Sequence, residues 1–262
     1  MEDGAIRVER RGRVALVIID RPQKRNALNV RLWRELAAAF EALAADPEVR
    51  VAILRGAGEE AFASGADLHA FTALPGNPEL VREHQAAVEA AMRAVEDLPA
   101  PVIAMIFGYA LGGGCELAVA CDLRLASDEA RFGIPAARMG IVLRRSNVQA
   151  LVDLIGPGRA KELLFTGRRV DAREALAMGL VNEVLPRAEL EGRAFALAGA
   201  LAENSPVSVR GAKAMVRACL RGEPEPRAEG GYTLSQAAYL SDDFREGVDA
   251  FVAKRKPIFP GR

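Results

Sequence analysis

Hydrophobic and polar positions switch between two periods along this chain. Apolar, β-branched runs of strand length occupy residues 6–9, 14–19, 51–54, 102–106 and 122–125, each bounded by Gly, Pro or charged residues. Between them the period lengthens to that of a helix. Over residues 30–45, Leu32, Trp33, Leu36, Phe40 and Leu43 recur on one face, and Asp46-Pro47 closes the segment. Residues 79–98 form a second amphipathic pattern that stops at Pro99. Strand, strand, helix, strand is the order of an α/β core. Beyond about residue 200 the strand runs cease, and residues 205–220, 229–240 and 242–254 all carry helical periodicity, with EPEPR as a hinge between the first two. So few helices cannot enclose a good core by themselves, which predicts that this tail packs on another surface or subunit.

Length and composition narrow the class. The chain has 262 residues, half of them hydrophobic, enough for one large domain with a small appendage. Lys+Arg and Asp+Glu both number 35, and a zero balance argues against a dedicated nucleic-acid binder, which needs a basic excess. No apolar run approaches the roughly 18–20 residues of a membrane span. The start, MEDGAIRVERRGR, has no apolar signal core, so a cytoplasmic protein is expected. Three cysteines without CxxC spacing and only two histidines suggest reduced thiols and no metal centre.

Two stretches carry candidate chemistry. One, EAFASGADL at residues 60–68, follows the strand run at 51–54. The other, FGYALGGGCEL at residues 107–117, follows the run at 102–106. Both place small residues directly after a buried strand, where a backbone approaches a ligand closely. In the second, three glycines lead into Glu116 and an apolar helical run. The N–H groups at such a helix start have no partner within the helix and carry the positive end of its dipole. They are either part of a simple tight turn or donors to an anion or developing oxyanion. The glycines do not fit GxxxxGK[ST], and no Lys follows them, which argues against an ATPase. Cys115 abuts Glu116 without an evident base nearby. Asp67 is better placed to cap a following helix than to do chemistry.

Together these stretches resemble the crotonase (enoyl-CoA hydratase/isomerase) superfamily, whose pattern AFxAGAD followed by GxxxGGGxEL…CD appears here as AFASGADL and GYALGGGCELAVACD. DRPQKRNALN, ARFGIPAARMG, TGRRVDAREALAMGLVNEVLP and DDFREGVDAFVAKRKPIF extend the resemblance over about residues 14 to 259. It implies a spiral of ββα turns over residues 1–200 that binds acyl-CoA. It also implies a C-terminal helical oligomerisation region over residues 201–262, and a homotrimer or a hexamer. By the same resemblance, the N–H groups of Ala66 and Gly113 form an oxyanion hole around a thioester carbonyl, with no cofactor beyond the coenzyme A of the substrate. Lys24, Arg25, Ala27 and Ser64 fall at positions that contact coenzyme A. Phe251 and Lys254 match positions that approach the nucleotide from a neighbouring subunit; the bland alternative is a merely charged terminal helix.

The resemblance makes Glu116 one of two catalytic glutamates of the hydratases, and the second is missing. The segment FGxPE reads FGIPA here, so Ala136 stands in its place. A second departure follows, because LGxxPGxGGTQRL becomes MGIVLRRSNVQAL. Arg144 and Arg145 then either bring positive charge to the acyl pocket or point to solvent. His69, just past the first loop, either titrates in that pocket or is an ordinary surface histidine; with Asp128 and Glu129 it is a candidate replacement acid. The leading expectation is a lyase of fatty acid metabolism, an enoyl-CoA hydratase. Its rivals are isomerisation, hydrolysis or decarboxylation of another acyl-CoA in the same hole, and a non-catalytic acyl-CoA-binding subunit.

Overall fold

The computed structural model describes residues 4–67 and 71–262. Strands β1 (Ala5–Arg11) and β2 (Val14–Asp20) form an antiparallel hairpin, followed by a 3-10 turn at Pro22–Lys24 and helix α1 (Val30–Ala44). The chain then makes three similar passes. The first runs β3 (Val51–Gly56), β4 (Ala61–Ala63), α2 (Pro78–Asp97). The second runs β5 (Val102–Ile106), β6 (Tyr109–Leu111), α3 (Gly113–Ala120). The third runs β7 (Leu123–Ser127), β8 (Arg131–Gly133), a 3-10 turn at Pro135–Arg138, then α4 (Arg145–Thr166). Each pass adds one parallel strand to a six-stranded sheet of order β1-β2-β3-β5-β7-β10 and one strand to a four-stranded sheet of order β4-β6-β8-β9. The result is the expected ββα spiral. The elements β9 (Val170–Asp171), α5 (Ala172–Ala177), β10 (Glu183–Leu185) and α6 (Arg187–Glu203) complete the layers.

The strand runs lack alternation because both faces of the large sheet are covered. Ala15, Val17, Ile19, Leu54, Val102 and Ala104 face a core shared with α1, α2 and α3. Val14, Leu16, Ile18, Ile53, Ile103 and Met105 face α6 through Leu190, Ala194 and Ala198. The helix starts follow local chemistry. Asn29 and Asn77 accept the backbone N–H groups of Leu32 and Leu80, capping α1 and α2. The short strands β4, β6, β8 and β9 were not legible in the sequence. At two or three residues each they are too short for a periodic signal, and their pairing is entirely long-range.

The C-terminal part is α7 (Pro206–Arg221), α8 (Leu234–Tyr239) and α9 (Asp242–Val252). Helical periodicity over residues 229–240 resolves into a 3-10 turn at Glu229–Gly231 and the short α8, because Gly230 and Gly231 adopt positive φ and Thr233 starts a new capping box. Buried Asp243 accepts from Ser205 Oγ (2.6 Å), Val207 N (3.2 Å) and Gly261 N (2.6 Å), tying α9 to the start of α7 and to the chain end. Arg50 reaches the carbonyls of Ala202 and Phe259, joining this layer to the core. Phe251 (85% exposed), Val252, Tyr239 and Leu240 nevertheless stay open to solvent. Among the described residues no helix is long and apolar enough to cross a membrane.

Candidate active site

The two small-residue stretches meet. Leu28 and Ala66 form a parallel bridge in which Leu28 N donates to Gly65 O (2.8 Å) and Leu28 O accepts from Asp67 N (3.0 Å). Ala66 N–H therefore faces away from Leu28. It faces the start of α3, since a Cβ built on Gly113 would stand 4.0 Å from Ala66 N, and one built on Gly65 only 3.2 Å from Gly113 N. Gly113 is the first residue of α3, whose initial N–H groups have no helical acceptor. Among the described residues neither N–H has a backbone partner. The glycines permit this approach. Gly65 has φ +99°, with Leu111 O 2.7 Å from any added Cβ, and a Cβ on Gly114 would lie 2.0 Å from Ala63 O. Trp33, fully buried in α1, supports Gly113 from below, its ring edge 3.2 Å from the same hypothetical Cβ. At the far end of α3, the buried Arg124 guanidinium donates to the carbonyls of Ala118 and Cys121. The pair of donors can thus bind an oxyanion without rearranging.

Glu116 lies one turn into α3 and is half-buried. Burial pushes its carboxyl up from the ordinary range, and a hydrogen bond from Asn147 Nδ2 to Oε2 draws it back down. Asn147 belongs to the first turn of α4 and was missed in the sequence. The only signal was its position inside the aberrant run RRSNVQ, where the resembling pattern has a glycine. Ala136 is buried in the 3-10 turn after β8 among apolar groups, where its methyl can exchange no proton. Cys115 is buried in the core with its thiol pushed up to about 12 by that burial, so it is not a nucleophile.

The 3-10 turn and the residues after it reach the same edge of the site. Ser64 N donates to Arg25 O (3.0 Å), and Ser64 Oγ lies 3.4 Å from Lys24 O, so Lys24, Arg25, Ala27 and Ser64 form one cluster beside Ala66. Ala27 is buried, whereas Lys24 and Arg25 are exposed; Arg25 Nε pairs with Glu60 (2.6 Å) and its guanidinium lies 5.7 Å from the Tyr109 ring centre. Buried Asn26, also unforeseen, accepts from Arg21 N (3.0 Å) and donates to the carbonyls of Ala57 (3.0 Å) and Ala61 (2.6 Å), which locks this turn to β4. Asp67 pairs with the buried Arg21 guanidinium at 2.8 Å; the helix start it was expected to cap lies outside the described residues.

Other expectations fare differently. Arg144 neither points freely to solvent nor stands as an unpaired charge: it pairs with Glu89 of α2 and donates to Gln85 O (3.2 Å). Arg145, Asp128 and Glu129 are exposed, and Glu129 pairs with Arg187 (3.1 Å). His69 lies outside the described residues. Phe251 and Lys254 sit at the exposed end of α9. A groove of about 720 Å³ is lined by Tyr239, Phe244, Val248, Phe251 and Phe259, among others, and includes none of Ala66, Gly113 and Glu116. Among the described residues no group of three or more His, Cys, Asp or Glu could hold a metal.

A sequence model for the family described as Enoyl-CoA hydratase/isomerase matches residues 9–262. The carnitinyl-CoA dehydratase of Proteus mirabilis is 40% identical over 96% of this chain and 97% of its own length. The short-chain-enoyl-CoA hydratase of Clostridium acetobutylicum is 36% identical over 98% and 97%. The crystal structure of an enoyl-CoA hydratase/carnithine racemase from Magnetospirillum magneticum superimposes with a TM-score of 0.91 at 38% identity, covering 100% of this chain and 97% of that one. With its ββα spiral and a match along nearly its whole length, the chain belongs to the enoyl-CoA hydratase/isomerase family, the crotonase superfamily of enzymes.

Proposed function

We propose that this enzyme is an enoyl-CoA hydratase that adds water to a 2-enoyl-CoA thioester. The convergence of Ala66 N–H and Gly113 N–H next to Glu116 carries the reading. The thioester carbonyl oxygen accepts both N–H groups. Glu116 takes a proton from water as the water oxygen bonds to the β-carbon, and the electrons of the double bond move onto the carbonyl oxygen as an enolate. The enolate then collapses, and the α-carbon receives the proton held by Glu116. One carboxylate thus serves as base and then as acid, since Ala136 supplies none. Burial raises the proton affinity of Glu116 and makes it a better base than a solvated carboxylate. A relative named for dehydration, the reverse of water addition, supports a lyase.

Lys24, Arg25, Ala27 and Ser64 bind coenzyme A along the edge next to the hole, with the two cations toward its phosphates. The open apolar face of α8 and α9 is covered by further copies in a trimer or hexamer, through which Phe251 and Lys254 reach a neighbour's nucleotide. The enzyme acts in the cytoplasm on acyl-CoA of fatty acid metabolism. One observation favours a second reading: burial of Ala136 among apolar groups suits an isomerase, hydrolase or decarboxylase that needs only the hole and one carboxylate. Loss of absorbance of crotonyl-CoA, measured beside an acyl-CoA binding titration, separates them. Turnover supports the hydratase; tight binding without loss of the conjugated double bond overturns it.

A further inference from the structure

Glu116 and Asn147 are 31 positions apart, in the first turns of α3 and α4, and their side chains meet in a direct hydrogen bond. A polar side chain in a first turn ordinarily serves the free N–H groups of its own helix. Asn147 does not: the start of α4 has no side-chain cap, and the amide crosses to Glu116. Two contacts aim it. Ser146 Oγ lies 3.2 Å from Asn147 Oδ1, which assigns the oxygen end of the amide to the serine and leaves Nδ2 for the carboxylate. Arg144, held by Glu89 and by Gln85 O, clamps the start of α4 to α2.

We propose that Asn147 is the positioning residue of this site, its amide fixing the direction of the Glu116 carboxylate and favouring its proton-accepting form. The inference rests on the reading of Glu116 as the base. In a site with one carboxylate the donor acts twice. It keeps Glu116 ready to take the proton of water, and it favours the return of that proton, because the carboxylate then regains its full hydrogen bond. No other described group does this. Cys115 is a buried neutral thiol, His84 on α2 is held toward its neutral form by burial, Arg144 and Glu89 pair with each other, and Arg145 is exposed. Among the described residues, only burial and Asn147 move the Glu116 carboxyl.

Asn147→Leu keeps the shape of the side chain and deletes the donor, while Asn147→Asp sets a like charge against Glu116. With crotonyl-CoA, the acid limb of the kcat/KM profile should move up by about one to two pH units in the leucine variant, with KM little changed. It should move at least as far in the aspartate variant. A titration of Glu116 by carbon-13 NMR, its resonance assigned by loss in Glu116→Gln, should move by the same amount. If both variants fold and the limb and the resonance stay where wild type has them, Asn147 has no such role. If wild type fails to hydrate crotonyl-CoA but the resonance moves in Asn147→Leu, the hydratase reading falls and the positioning contact stands.

Discussion

The proposed site has a backbone side, the N–H groups of Ala66 and Gly113, and a side-chain side, Glu116 and Asn147, and the two are held by different means. The backbone side is fixed by the Leu28–Ala66 bridge and by glycines that let α3 touch the loop after β4. No rotamer change can withdraw those donors, and little else can take the place of Gly65 or Gly114. The side-chain side depends on one hydrogen bond between two helices and on an ion pair behind it. Positions 136 and 147 lie in a 3-10 turn and at a helix start, where a side chain can change without disturbing a strand. Under the proposed function, the means of holding an oxyanion is built into the backbone, whereas proton transfer depends on side chains.

Substitutions on either side test that contrast. Glu116→Gln should have the largest effect, lowering hydration by about 10²–10⁴ with acyl-CoA affinity little changed, since the amide keeps the shape but cannot take a proton. Steady-state kinetics beside calorimetric binding would show it; an unchanged rate would remove Glu116 from the mechanism. Gly65→Ala should come next, at about 10²–10³ in kcat, because the added methyl must displace Leu111 O and with it the Ala66 donor. It should also cost about 1–3 kcal/mol of stability in denaturant melts. Gly12→Ala, at a positive φ but with no atom near the new methyl, should lose stability alone and keep kcat.

Ala136→Glu asks whether the side-chain side can be rebuilt. If the new carboxyl reaches the α-carbon, hydration should rise about tenfold, a fraction of what a general acid contributes. A folded variant no faster than wild type would show that position 136 no longer faces the reacting carbon. Arg144→Met should have the smallest effect. The pair with Glu89 is partly solvated, so its loss should cost less than about 1 kcal/mol, with a few-fold fall in kcat as the start of α4 loosens. Stability against pH offers a check on Glu116 without substrate. Its folded carboxyl binds the proton more tightly than an unfolded one, so its contribution to stability is lost as pH rises from the ordinary carboxylate range through the raised value. Glu116→Gln should remove that decline in thermal melts.

The apolar runs at 14–19, 51–54 and 102–106 and the helical face of Leu32, Trp33, Leu36 and Phe40 were legible because strand and helix periods depend on neighbours within a few residues. The glycine stretches were legible for a related reason: a chain needs glycine wherever its backbone must pass within contact distance of another, and that need is written at the position itself. The sequence by itself thus determined the α/β class, the two backbone loops and the alanine at position 136. Only the tertiary structure decided that Asn147 donates to Glu116, that Arg144 pairs with Glu89 instead of lying free, and that Asp67 pairs with Arg21. Those pairings join residues tens of positions apart. A side chain's charge or amide states what it can bond to, but its partner is set by how α2, α3 and α4 settle on the sheets, a global balance of burial that no local pattern of residues records.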